Sequence, residues 1–179
     1  LAKSYAGRAV VAALSIRIMR GDRVAFTGPN GAGKTTALRL LTGVLDPDGG
    51  TLALGTGLQT VTFDQGRSAL DPQATLWETL CPAGGDTVTV HGRPKHVVGF
   101  LSDFLFAESQ AKSPVSSLSG GEKARLLLAM LFARPSNLLV LDEPTNDLDL
   151  ETLDLLQEVL SDYDGTVLMV SHDRDFIDR

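Results

Sequence analysis

The run Gly28-Pro29-Asn30-Gly31-Ala32-Gly33-Lys34-Thr35 lies between an apolar segment, Arg23 to Thr27, and a helix-forming stretch, Lys34 to Gly43. A glycine-rich turn in that setting restricts the chain to a strand feeding a loop and then a helix. Glycines let the backbone curl so that successive N–H groups point inward, and the helix N-terminus adds partial positive charge. The product is a cradle for phosphate oxygens, a P-loop. Lys34 can reach terminal phosphates, and the Thr35 hydroxyl can hold Mg²⁺. A chance glycine-rich turn is the plain alternative, and the strand before it and the helix after it speak against that.

Two further motifs follow in order. Leu118-Ser119-Gly120-Gly121-Glu122 opens a segment of helical length that runs to Ala133. Ser119 and Glu122 have the spacing of a capping box, which is a sufficient structural reason for both. The same helix N-terminus, with two glycines, can also receive a phosphate. A domain whose P-loop already holds one nucleotide would offer this second motif to the nucleotide of a partner. Leu138-Leu139-Val140-Leu141-Asp142-Glu143 then reads as a buried strand ending in two acids. Strand ends of such sheets face the ligand crevice. Asp142 suits Mg²⁺, and Glu143 can act as general base toward water. The alternative is a solvated acidic turn before Pro144.

Single residues extend the set. His172 follows the apolar strand Thr166 to Val170 and can donate to a phosphate oxygen. A structural histidine at a strand end is the alternative. Gln65 follows the apolar run Leu58 to Phe63 and could touch both Mg²⁺ and the attacking water; a surface glutamine is the less favoured alternative. Tyr5 is a candidate to stack on a base, or else a half-buried tyrosine. His91-Gly92-Arg93-Pro94-Lys95-His96 is a small basic cluster that could meet a nucleic-acid backbone, though a solvated loop is the favoured reading.

The bulk properties set limits. A length of 179 residues fits one domain with one sizeable core. Net charge of -6 argues against broad, non-specific nucleic-acid binding. The apolar run Leu126 to Ala133 is far too short to span a bilayer. A single cysteine, Cys81, can form no internal disulfide, which makes a reducing cytoplasm the default. The first residue is not Met and Arg179 falls where a helix begins, so a piece of a longer protein is expected.

Strand-helix alternation with buried apolar strands predicts an α/β fold around a largely parallel sheet. Strands are expected at Ser15 to Met19, Arg23 to Thr27, Thr51 to Leu54, Leu58 to Phe63, Asn137 to Leu141 and Thr166 to Val170. Helices are expected at Lys34 to Gly43, Ser119 to Ala133 and Glu151 to Leu160. The stretch from Gln65 to Val115 reads as a mostly helical insertion, with residues 66–118 as its span within a single domain, 1–179.

Taken together, the P-loop, Gln65, Leu118 to Glu122, Asp142-Glu143, Asn146-Asp147-Leu148-Asp149 and Ser171-His172-Asp173 resemble, in kind and order, the motifs of ABC-type ATPase domains. The likeness covers nearly the whole chain. It implies a P-loop NTPase domain with a mostly parallel core sheet, a small antiparallel β part and a helical subdomain bearing the signature motif. It further implies ATP and Mg²⁺ as ligands. Nucleotide contacts would come from Tyr5, Gly28, Asn30, Gly31, Ala32, Gly33, Lys34, Thr35 and Thr36. Ser119, Gly120, Gly121 and Asp149 would face a second ABC domain. Metal contacts would come from Thr35, Gln65 and Asp142, and catalytic ones from Glu143, His172 and Gln65.

Asp142-Glu143-Pro144-Thr145-Asn146-Asp147-Leu148-Asp149 is similar to the ABC-F group, whose members carry two ABC domains and no transmembrane domain. Phe100 to Phe106, Pro135 to Leu139 and Ser171 to Arg174 resemble the second ABC domain of its Uup-like members. That resemblance implies ATP-driven work on ribosomes, RNA or DNA. An ATPase subunit of a membrane transporter is a second reading, and a nucleotide-gated binding module with negligible turnover a third. The sequence shows neither the interdomain linker nor the C-terminal coiled coil that would strengthen this likeness, and the strand expected before Tyr5 is missing from the pattern.

Overall fold

The computed structural model describes residues 1–63, 70–90, 92–146 and 148–177. In chain order the elements are β1 (Lys3–Tyr5), β2 (Arg8–Val11), β3 (Arg23–Phe26), α1 (Lys34–Leu41), β4 (Thr60–Phe63), α2 (Leu76–Leu80), β5 (Thr87–Val90), β6 (Arg93–His96), α3 (Val97–Asp103), α4 (Gly120–Phe132), β7 (Leu138–Asp142), α5 (Leu150–Ser161), β8 (Thr166–Val170) and α6 (Arg174–Ile177). Two short 3₁₀ turns, Glu108–Lys112 and Val115–Ser117, precede α4. The chain forms two compact units.

The first unit comprises Leu1–Thr62, Asn137–Thr145 and Asp164–Arg179. Its centre is a sheet in the order β3-β8-β7-β4. β8 runs parallel to both β3 and β7. The residues of β8 are buried throughout, as are those of β7 up to Asp142, which explains unbroken apolar runs in place of alternation. Leu38 and Leu41, one turn apart on α1, pack with Leu138, Val140, Leu168 and Val170. Burying such side chains stabilises by about 1.5–3 kcal/mol each, before conformational entropy is charged against it.

Two expected strands do not form. Residues 15–19 and 51–54 make no ladder, although Ile18 packs on the core as its alternation predicts. Backbone groups near the end of the first segment are satisfied locally. The Met19 N–H donates to Asp22 Oδ2 at 2.8 Å, and the Met19 carbonyl accepts from the Asp22 N–H at 3.2 Å. The two segments flank an open groove of about 780 Å³ that Leu41, Leu138 and Leu168 also line. Conversely, a strand is present where none was read. β1 pairs antiparallel with β2 around Ala6-Gly7, both at positive φ as a two-residue hairpin turn requires. Asp48 fastens β1, accepting from the Ser4 N–H at 2.8 Å and the Lys3 Nζ at 2.7 Å. Contacts that distant in sequence leave no local pattern.

The second unit comprises Phe63–Ser136 and Asn146–Tyr163. Phe100, Leu101, Leu126, Leu128 and Leu156 are all but inaccessible to solvent. Edge-on ring contacts link Phe100 to Phe104 at 5.0 Å and Phe132 to Tyr163 at 6.3 Å. Buried Tyr163 satisfies its hydroxyl on Ser136 Oγ at 3.0 Å. The stretch read as mostly helical includes the antiparallel hairpin β5–β6. Thr87-Val88-Thr89-Val90 alternates over only four residues, too few to register against the helical signals around it. Arg93 to His96 of the basic cluster form strand β6 of this hairpin, and Gly92 lies in the turn before it. His96 caps α3 and meets Trp77 edge-on at 5.5 Å, while Lys95 pairs with Asp103. His91 lies outside the described residues.

Candidate nucleotide-binding site

Parallel pairing sets the geometry. Phe26 is level with Val170, and Val170 with Asp142. The loops leaving β3, β7 and β8 therefore emerge at one end of the sheet. Those loops carry the P-loop, Glu143 and His172 respectively. Gly28, Asn30, Gly31 and Ala32 form the turn, and the Ala32 N–H donates to the Pro29 carbonyl at 3.3 Å. Gly33 caps α1 in the left-handed region, with φ 89°. A Cβ there would fall 2.7 Å from the Val10 carbonyl oxygen, so β2 closes against the loop only because that position is glycine. Gly33→Ala is expected to cost at least the roughly 1–2 kcal/mol of a left-handed alanine, and more through the collision. Denaturant melts of the two proteins check this, and equal midpoints would contradict the close approach.

Lys34 and Thr35 open α1, with Thr36 next along it. Lys34 Nζ donates to the carbonyls of Gly28 at 2.9 Å and Pro29 at 3.1 Å. Its side chain is only 9% exposed, which holds the ammonium over the loop. Thr35 Oγ1 donates to Asp142 Oδ1 at 3.1 Å, bringing together a hydroxyl and a carboxylate, both hard oxygen donors. Among the described residues no group of three or more His, Cys, Asp or Glu gathers to hold a metal. Two protein oxygens leave most positions around a divalent ion to other donors, phosphate and water among them, which suits Mg²⁺.

Glu143 stands at φ 50°, a left-handed conformation that is strained for a non-glycine residue. Its N–H donates to the Val170 carbonyl at 2.8 Å, which fixes the residue where β7 and β8 end. Glu143 Oε1 lies 2.7 Å from His172 Nε2 and 3.9 Å from Lys34 Nζ. Lys34 Nζ is also 3.2 Å from the same His172 nitrogen. One nitrogen cannot donate to the carboxylate and accept from the ammonium at once. The shorter distance places the proton on Nε2, donated to Glu143. Lys34, Thr35, Asp142, Glu143 and His172 thus converge, although the chain separates them widely.

Tyr5 ends β1 and is 49% exposed, leaving its ring available to a ligand. The hairpin that carries it reaches the P-loop through Val10. Gln65 lies outside the described residues. Cys81 is buried, and desolvation pushes its thiol up from the ordinary range, which makes it inert.

In the second unit Ser119 caps α4 as predicted. Its Oγ accepts from the Glu122 N–H at 3.3 Å, and Glu122 Oε2 accepts from the Ser119 N–H at 2.8 Å. That backbone bond is the main reason the Glu122 carboxyl titrates below its usual range. Gly120 follows, exposed at the helix start. Asp149 caps α5, accepting from the Thr152 N–H at 2.8 Å. Gly121 and Asp149 meet: a Cβ on Gly121 would run into the Asp149 carboxylate. Arg125, which the sequence reading did not single out, lies one turn further along α4 and pairs with Glu151. Its spacing from Gly121 was the available signal.

A P-loop, two acids and a histidine at the ends of parallel strands, with a capped glycine-rich helix in a second unit, define an ABC-type nucleotide-binding domain. The chain belongs to the ABC transporter family, whose profile matches residues 11–146. Within that family its relatives include ABC-F proteins. It is 58% identical over 177 residues to the ATP-binding protein Uup of Caulobacter vibrioides, covering 99% of this chain and 29% of that protein. Against Uup of Escherichia coli the figures are 54% over 173 residues, 97% and 27%. It is also 40% identical over 179 residues to the energy-dependent translational throttle protein EttA of Escherichia coli, covering 32% of that protein. The chain therefore spans less than a third of the length of these relatives.

Proposed function

We propose that this chain is the second nucleotide-binding domain of a two-domain ABC-F ATPase of the cytoplasm. It would close on its partner domain head to tail over two ATP molecules. The observation that carries the reading is the convergence of Lys34, Thr35, Asp142, Glu143 and His172 at one end of the sheet. Lys34 and the P-loop N–H groups of Gly28 and of Asn30 to Thr36 hold the phosphates, and Tyr5 stacks on the adenine. Thr35 and Asp142, with Gln65, hold Mg²⁺, which when bound neutralises charge on the phosphate oxygens. Glu143 takes a proton from the attacking water, which approaches in line with the bond to the leaving ADP oxygen. With ATP bound, His172 would turn its Nε2–H from Glu143 to a γ-phosphate oxygen, leaving the Glu143 carboxylate to the water. Ser119, Gly120, Gly121 and Asp149 serve the ATP bound by the partner domain. Closure on ATP and release on hydrolysis would drive motion of a ribosome, RNA or DNA.

No helix among the described residues is long and apolar enough to cross a membrane. The relative named for translational throttling supports a ribosomal target first. The test uses the full-length parent with Glu143 and its counterpart in the other domain changed to Gln. After ATP is added to lysate, the trapped protein is expected to sediment with ribosomes. Sedimentation with membranes would favour a transporter subunit, and retention on DNA alone would favour a DNA-directed role.

A further inference from the structure

The first turns of α4 and α5 meet where Gly121 leaves room for the Asp149 carboxylate. Arg125 sits at the position that joins them. Its Nη1 donates to Glu151 Oε2 at 2.7 Å, binding the helix that starts at Gly120 to the helix capped by Asp149. Its guanidinium carbon lies 5.7 Å from the centre of the Phe106 ring, and Phe106 is buried. The Arg125 side chain is 12% exposed, against 68% for Glu151. One end of the pair is therefore fixed by packing while the other reaches solvent. An exposed pair of this kind adds little by itself, but a clamped guanidinium restricts where its partner can stand.

Arg125 also carries a cost. Its Nε–H is buried with no acceptor among the described residues. An apolar side chain of similar length would fill the space without that orphaned donor. What an apolar chain would not supply is a charge among Glu122, Asp149 and Glu151. The Asp149 carboxyl is held below its usual range, first by its hydrogen bonds with Thr152, and the Arg125 charge acts in the same direction.

We propose that Arg125 is a positioning residue that locks the first turn of α4 to the first turn of α5. Ser119 to Gly121 and Asp149 are thereby presented to a partner domain as one rigid edge. The inference rests on the two-domain ATP sandwich proposed above. Arg125 does not touch nucleotide; it acts through Glu151 and the paired helix starts.

The test uses the full-length parent. Arg125→Met is expected to lower kcat for ATP about tenfold while leaving KM within about twofold, the pattern of an interaction realised only in the closed state. Glu151→Gln, at an exposed position, removes the charge from the same pair without touching the core and is expected to act in the same direction, more weakly. Arg125→Lys should recover part of the loss. Hydrogen exchange separates positioning from general destabilisation. Amides in 119–123 and 149–152 should exchange faster together in both variants, while those in 126–132 stay protected. Faster exchange throughout α4, or unchanged kcat in both Arg125→Met and Glu151→Gln, overturns the proposal. Ser119→Arg serves as the control for the underlying reading. If it leaves turnover unchanged, the sandwich itself fails and this inference with it. If it blocks turnover while the Arg125 and Glu151 variants do not, only the inference fails.

Discussion

Glu143→Gln leaves ATP binding intact and slows hydrolysis about 10²-fold or more, the loss expected when a general base is removed. The substitution is close to isosteric and keeps an oxygen where Oε1 accepts from His172. The backbone of residue 143 stays pinned by the Val170 carbonyl, so the left-handed geometry survives. Only the capacity to take a proton disappears. Single-turnover hydrolysis and a nucleotide titration on the full-length parent separate the two quantities. Turnover equal to that of the unaltered protein would remove Glu143 from its assigned role.

Lys34→Ala acts on the other quantity. The ammonium it removes is nearly buried and held over the loop by two carbonyls. Hydrogen bonds from a charged donor contribute about 1.5–3 kcal/mol each, so losing one phosphate contact weakens nucleotide binding roughly 10- to 100-fold. Glu143 also loses a cation 3.9 Å away. An equilibrium titration with ATP checks the prediction, alongside a thermal melt to show that the variant folds. Unchanged affinity in a folded variant would contradict the placement of Lys34 on phosphate.

Much of this arrangement was readable before any coordinates. Lys34, Thr35, Asp142 and His172 lie beside strands that announce themselves as continuous apolar runs, and the strand end is where such residues become useful. The Ser119–Glu122 capping box is likewise written in two residues at fixed spacing. What could not be read was partnership. The alternation at 15–19 foretold which side chain faces the core, since Ile18 does, but not that Asp22 would occupy the backbone of Met19. The strand β1 depends on Asp48, and the hairpin β5–β6 on a four-residue alternation. The left-handed backbone at Glu143 has no sequence sign, because glutamate does not favour it. Arg125 escaped notice because its importance lies in Glu151 and Phe106, one beyond the acidic loop and the other ahead of the signature motif.

The strand order has a consequence for how the domain comes into being. Among the described residues β3, which launches the P-loop, stands at the edge of its sheet, and its ladder partner β8 is the last strand of the domain. Within this domain the phosphate loop is thus made well before the strand that holds it in place. Until Thr166 to Val170 emerges, β3 lacks its ladder partner and Glu143 lacks the Val170 carbonyl that pins its backbone. Pairings so distant in sequence are slow to find and leave an apolar edge open meanwhile. A nascent chain stopped short of β8 would carry every residue of the P-loop and yet offer no formed cradle to a nucleotide, so ATP cannot template its folding until almost the whole domain has been translated.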